Sequence, residues 1–162
     1  MAFQHVRSLI AGAVEVAPPK DVTEYTLATA VTAEPGQAFY FDDGELKLAA
    51  AGRMIAAVIA LNEAAAAGKV RGGWITPGQI YRCPITNKAG TAVRPTADIH
   101  ATLKVGVGVT INDTGDGVDG ETEIANAVGK PLTIVQIDKP NSVAYVVFSS
   151  CALAYDTTQG AT

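Results

Sequence analysis

Pro131-Leu132-Thr133-Ile134-Val135-Gln136-Ile137, then Asp138-Lys139-Pro140-Asn141, then Ser142-Val143-Ala144-Tyr145-Val146-Val147-Phe148, is the stretch on which the fold reading turns. Two runs rich in β-branched and aromatic residues flank four residues of turn chemistry, a connection of hairpin length. Upstream, Thr102-Leu103-Lys104-Val105-Gly106-Val107-Gly108-Val109-Thr110-Ile111 ends in strict alternation. That pattern puts Val105, Val107, Val109 and Ile111 on one face and is the clearest strand signal in the chain. Residues 69–76, the dipeptide Pro77-Gly78 and residues 79–83 suggest another hairpin. Residues 22–27 and 38–41 read as strands, with turns at Glu34-Pro35-Gly36 and Asp42-Asp43-Gly44. Residues 46–67 are ambiguous, because their alanines and leucines favour helix slightly while Gly52 and Ile55-Ala56-Ala57-Val58-Ile59 permit a strand. Many short strands with Gly/Pro turns, and no alternating βα units, predict an all-β barrel or sandwich with room for one short helix.

The first residues differ from the rest. Val16-Ala17-Pro18-Pro19-Lys20-Asp21 carries paired prolines that forbid helix and favour an extended path. Residues 1–21 therefore read as an extended arm, 22–155 as one β-rich domain, and 156–162 as a small, polar, frayed tail.

With 162 residues the chain suits a single domain, and 48% hydrophobic against 17% charged residues sets it apart from disordered chains. Much of the apolar content is alanine and valine, so the expected core is built of small side chains. A net charge of −4, from 12 Lys and Arg against 16 Asp and Glu, offers no attraction to phosphate backbones or anionic lipid. Cys83 and Cys151 form no CxxC pair, which argues against a disulfide framework or a zinc site and leaves a single bridge between them open. Arg7 followed by apolar residues 8–14 imitates a signal peptide until Glu15 interrupts it. Residues 54–67, broken by Asn62-Glu63, fall short of the roughly 20 residues of a membrane span. The expectation is a soluble protein without an address label.

Candidate chemistry is sparse. Gly115-Asp116-Gly117-Val118-Asp119-Gly120 matches G-x-G-x-x-G after a predicted strand. A dinucleotide site needs a helix opening at that loop, and residues 121–128 are too few before Gly129-Lys130-Pro131. Asp113, Asp116, Asp119 and Glu121 make the loop acidic, yet their spacing lacks the alternation and closing glutamate of a calcium loop. A solvated surface loop is the simpler expectation. His5 and His100 are the only histidines; His100 has no nucleophile-elbow glycines beside Ser149, Ser150 or Cys151 to pair with. Asn112-Asp113-Thr114 matches the glycosylation sequon but follows no secretory signal. Phe39, Tyr40, Phe41, Trp74 and Tyr81 lack an interleaved basic stripe and read as core and interface packing.

Five segments, taken in order, carry a family resemblance. They are Phe39-Tyr40-Phe41-Asp42-Asp43-Gly44-Glu45-Leu46-Lys47, Arg53-Met54-Ile55-Ala56-Ala57-Val58-Ile59-Ala60-Leu61, Gly72-Gly73-Trp74-Ile75-Thr76-Pro77-Gly78-Gln79-Ile80-Tyr81, Leu103-Lys104-Val105-Gly106, and Val135-Gln136-Ile137-Asp138 with residues 143–148. This order resembles the head decoration, or capsid cement, proteins of tailed bacteriophages. The departures are the alanine run 64–67 and the acidic 113–121 loop. The resemblance implies strand over residues 55–61 and a small β-barrel or β-tulip-like domain on the outer surface of a virion capsid. It also implies a homotrimer at local three-fold axes with the major capsid protein as partner, no catalysis, no cofactor or metal, and no nucleic-acid or membrane partner. An extended terminal arm would contact the shell or a neighbour, with Phe3, Val6, Leu9 and Ile10 as apolar contacts and Pro18 and Pro19 in its extended part. The alternative for those residues is packing on their own domain. The rival reading of the chain is a small ligand- or metal-binding barrel, or an enzyme, with His100 and residues 113–119 at its mouth; another virion part, such as a head-fibre base or tail-tube subunit, is a third.

Overall fold

A computed structural model describes residues 2–8, 23–50, 56–76, 78–92, 103–121 and 130–149. Its strands are β1 (Gln4–Ser8), β2 (Thr23–Thr26), β3 (Ala38–Asp42), β4 (Glu45–Leu48), β5 (Val58–Ala60), β6 (Lys69–Trp74), β7 (Gln79–Thr86), β8 (Gly108–Val109), β9 (Val118–Asp119), β10 (Leu132–Asp138) and β11 (Val143–Phe148). The only helical element among the described residues is a 3-10 turn, Lys139–Asn141. The chain is all-β, as expected.

Local chemistry explains the hairpins. Asp43 and Gly44 both take positive φ, 51° and 82°, between paired Asp42 and Glu45. This is the two-residue primed turn whose twist matches its flanking strands, and it makes β3–β4. The β10–β11 hairpin forms where it was predicted, with Leu132 opposite Phe148 and Asp138 opposite Val143. The Asp138 carboxylate accepts from the Asn141 side-chain amide at 2.8 Å across the turn.

The strands assemble into two sheets rather than one closed barrel. The first has the order β1-β7-β11-β10-β8, with β9 added parallel to β7; the second has the order β2-β6-β5-β3-β4. The second sheet curls until its edges touch at one parallel bridge, Leu27 to Leu46. One bridge pins the curl without a ladder to close it. Alternation along β3 then divides the interior. Ala38 and Tyr40 face the first sheet, where Ile59, Ile85, Leu132, Ile134 and Val146 form the inter-sheet core. Phe39 and Phe41 point into the curl with Leu46, Val58 and Val70. Tyr25, Phe41 and Trp74 stack at the rim of the curl, half-buried, and Trp74 Nε1 donates to the Tyr25 hydroxyl at 2.6 Å.

Several expectations are corrected. Residues 69–76 and 79–83 are strands but not a hairpin: β6 pairs with β2 and β5, whereas β7 pairs with β1 and β11. Pro-Gly favours an unprimed type II turn, which splays its flanks instead of pairing them. Gly78, at φ 81°, stands where the chain crosses between sheets. The clearest strand signal also breaks. Gly106 adopts φ 85°, the Val107 amide donates back to the Lys104 carbonyl, and Val105 is left 60% exposed, so only Gly108–Val109 forms ladder. Alternation could not reveal that glycine turn. The slight preference for helix over 46–67 fails in the described part, because β4 and β5 lie there. β5 is the middle strand of the curled sheet and fully buried, so packing on both faces overrides alanine's helical propensity. Ile55, the first residue of the expected 55–61 strand, lies outside the described residues, as do residues 51–54 before it.

Candidate functional site

β1 is where the expected arm becomes structure. Gln4–Ser8 pairs antiparallel with β7, with Gln4 opposite Arg82 and His5 opposite Tyr81, and a bulge shifts the register between His5 and Arg7. Phe3 is a correction to the interface expectation. It is 3% exposed, with its ring edge-on to Tyr81 at 6.4 Å and tilted against Phe148 at 5.2 Å. Packing on its own domain holds for this residue, since an aromatic beside the two-sheet interior loses most water contact there. Val6, three residues on and within β1, is 42% exposed and remains outward. Leu9, Ile10, Pro18 and Pro19 lie outside the described residues, as do His100, Cys151 and the 156–162 tail.

A turn from the other sheet completes the seat of β1. Glu34-Pro35-Gly36 is the expected turn, with Gly36 at φ 86° and the Gln37 amide donating to the Glu34 carbonyl at 3.2 Å. The Gly36 carbonyl accepts from the Phe3 amide at 3.0 Å. A side chain at Gly36 would stand 2.3 Å from the Ala2 methyl, so only glycine admits the strand. Beside this seat runs a groove of about 300 Å³ lined by Phe3, His5, Ile59, Leu61, Trp74 and Tyr81, among others. Its apolar lip includes Leu61, 47% exposed. No sequence signal pointed to this groove, because its walls come from both sheets.

The acidic loop is anchored at Asn112 and Asp119, while Asp113 and Glu121 stay exposed as expected of a surface loop. Asn112 is fully buried; its side-chain amide donates to Thr86 Oγ1 at 2.9 Å and to Asp116 Oδ1 at 2.8 Å, and its carbonyl oxygen accepts from the Asp116 amide. Thr114 Oγ1 donates to the same Asp116 oxygen, and Asp119, buried in β9, accepts from the Glu121 amide at 3.0 Å. The glycines of the G-x-G-x-x-G match are packing glycines. Added methyl groups would meet Leu48 at 2.6 Å from Gly115, the Pro84 carbonyl at 2.7 Å from Gly117, and Ile85 at 2.5 Å from Gly120. Gly117 and Gly120 bring the loop down onto β7 and Gly115 seats it against β4, so each fills a close approach of protein to protein rather than to a phosphate. Among the described residues no group of three or more His, Cys, Asp or Glu is placed to hold a metal ion, and no helix is long and apolar enough to cross a membrane.

Cys83 carries a free thiol in the inter-sheet core. Burial pushes its pKa well above the ordinary thiol range, more than a backbone hydrogen bond to Val118 and the nearby Arg82 charge lower it. It acts as a small apolar side chain, and its thiolate form is suppressed. No protein-family model matches the chain, and no curated protein matches it in sequence.

Proposed function

We propose that the chain is a structural virion protein that binds the outer surface of a tailed-phage capsid and stabilises the shell. The major capsid protein is its partner, together with further copies of itself grouped as a trimer at local three-fold axes. The observation that carries this reading is the use the fold makes of the segments resembling capsid cement proteins. Residues 39–47 are the β3–β4 hairpin, β5 and the β6-to-β7 crossing hold the middle segments, and the last segment is the β10–β11 hairpin ending at Phe148. Four of the five short motifs thus fall on strands, in chain order, within one two-sheet domain, and residues 103–106 are the turn that Gly106 permits.

The edge of that domain supplies surfaces suited to binding. Among the described residues β1 has a neighbour on one side only, Val6 is exposed on it, and the apolar groove with Leu61 opens alongside. Edge strands and apolar grooves are the features proteins use to engage extended partner segments. Copies repeated over a symmetric shell add many weak contacts into strong retention.

The test is addition of purified protein to heads of the source phage stripped of it. Co-sedimentation to saturation, with a rise in the temperature at which the heads release DNA, is the expected result. Failure to co-sediment at any concentration refutes the reading. Substituting Val6→Asp weakens co-sedimentation if the β1 edge meets the shell.

A further inference from the structure

The seat that β1 occupies is made entirely by other parts of the chain. β7 provides the ladder, Tyr81 and Phe148 provide the aromatic socket for Phe3, and the Gly36 carbonyl provides the first anchor. Residues 2–8 of a second copy would meet each of these groups identically. We infer that β1 is an exchangeable strand: residues 2–8 of one copy leave their own seat and fill that of another, so that copies become linked through residues 9–22.

Three observations carry the inference. First, β1 is the outermost strand of its sheet, and its departure breaks no other ladder. Second, its grip is uneven, with a bulge between His5 and Arg7 and an unfilled groove along its flank. Third, the connection to β2, residues 9–22, has a reach on the order of 45 Å when extended and contains Pro18-Pro19, a pair that favours extended chain over a tight return. The vacated seat is selective. It exposes the edge of β7 and an aromatic socket shaped for a phenylalanine placed just before a strand, and residues 2–8 are the segment the structure shows to match it.

Exchanged and closed forms make the same contacts, so concentration decides between them. A tether of 14 residues confines its own strand at an effective concentration on the order of 1 mM, and exchange takes over as copies crowd beyond that. Crowding on a shell rests on the proposed function; the exchange itself rests on the domain alone and is tested without particles.

The experiment mixes two single variants, Gln4→Cys and Arg82→Cys, whose substituted positions face each other across β1 and β7. Neither chain alone can join these two positions, so a disulfide between them reports a strand seated in the other copy. The pair is co-refolded at about 1 mM under mild oxidation and its disulfides are mapped by peptide mass. The control pairs Gln4→Cys with Glu24→Cys, an exposed position on the other sheet. The expected result is at least ten times more of the 4–82 disulfide than of the control disulfide, falling to the control level at 10 µM. Equal yields for the two pairs, or a 4–82 yield that does not depend on concentration, overturn the inference. Loss of the chain from particles with strong 4–82 exchange in solution would refute the proposed function and leave the exchange standing.

Discussion

The inter-sheet core and the curl of the second sheet share strands but are sealed differently. Between the sheets, Ile85, Leu132, Ile134 and Val146 are packed from both sides, and Phe3, Tyr81 and Phe148 close the β1 side. Inside the curl, Leu27, Phe39, Leu46, Val58 and Val70 are buried, but the rim is left to half-buried Tyr25, Phe41 and Trp74. The difference follows from closure. Two sheets face to face cover each other, whereas a five-stranded sheet pinned by a single bridge must finish its interior with large amphipathic rings. Because β3 sends Ala38 one way and Phe39 the other, the two cores should nevertheless fail together.

The largest expected effect tests that coupling. Phe39→Ala removes a fully buried ring from the curl and should cost about 3–5 kcal/mol, read by denaturant unfolding. Trp74, the only tryptophan, reports the curl, and reactivity of the Cys83 thiol reports the inter-sheet core. The two transitions should coincide in parent and variant; separate midpoints would split the molecule into two units. In the native state near pH 8 the Cys83 thiol should resist thiol reagents and react only on unfolding, because burial holds its pKa high. Phe3→Ala should cost about 3 kcal/mol, the low end for a buried phenylalanine, since an edge strand can relax around the loss. Hydrogen exchange should speed most in β1, and uniform loss of protection would contradict the edge assignment. Asn112→Ala removes the buried amide that joins Thr86 to Asp116 and takes the acceptor from the Asp116 amide, while the Thr86 hydroxyl keeps the Asn87 carbonyl and the Asp116 carboxylate keeps Thr114; it should cost about 1–3 kcal/mol, acting on the inter-sheet side. Asp42→Asn removes the charge of the exposed pair with Lys47 at the β3–β4 hairpin and should change stability by no more than about 0.5 kcal/mol.

What could be read in the sequence was what short-range chemistry determines. The Asp43-Gly44 turn and the β10–β11 hairpin depend on residues a few positions apart, and both formed where they were expected. Pairing between distant strands left no such mark. Lys69–Trp74 and Gln79–Thr86 read as partners, yet they belong to different sheets. The valine alternation ending at Ile111 concealed a turn that Gly106 permits and that the Gly106 amide anchors by donating to the Ile134 carbonyl at 2.8 Å. The acidic loop was legible only in part: its charges suggested solvent, which holds for Asp113 and Glu121, while Asn112, Gly117 and Gly120 draw its middle onto β7. Of the candidate contact residues, Val6 is exposed and Phe3 is not, a split that alternation in a strand would have allowed in either direction. The groove beside β1 could not be read at all, because Leu61, Trp74 and Tyr81 meet only once two sheets have formed.

The central claim, a shell-binding structural protein, is tested most directly by counting. Quantitative mass spectrometry of purified particles from the source compares copies of this chain with copies of the major capsid protein. The account predicts a ratio of one, or a simple fraction of one, that persists through repeated purification. Absence of the chain from the particles would contradict it.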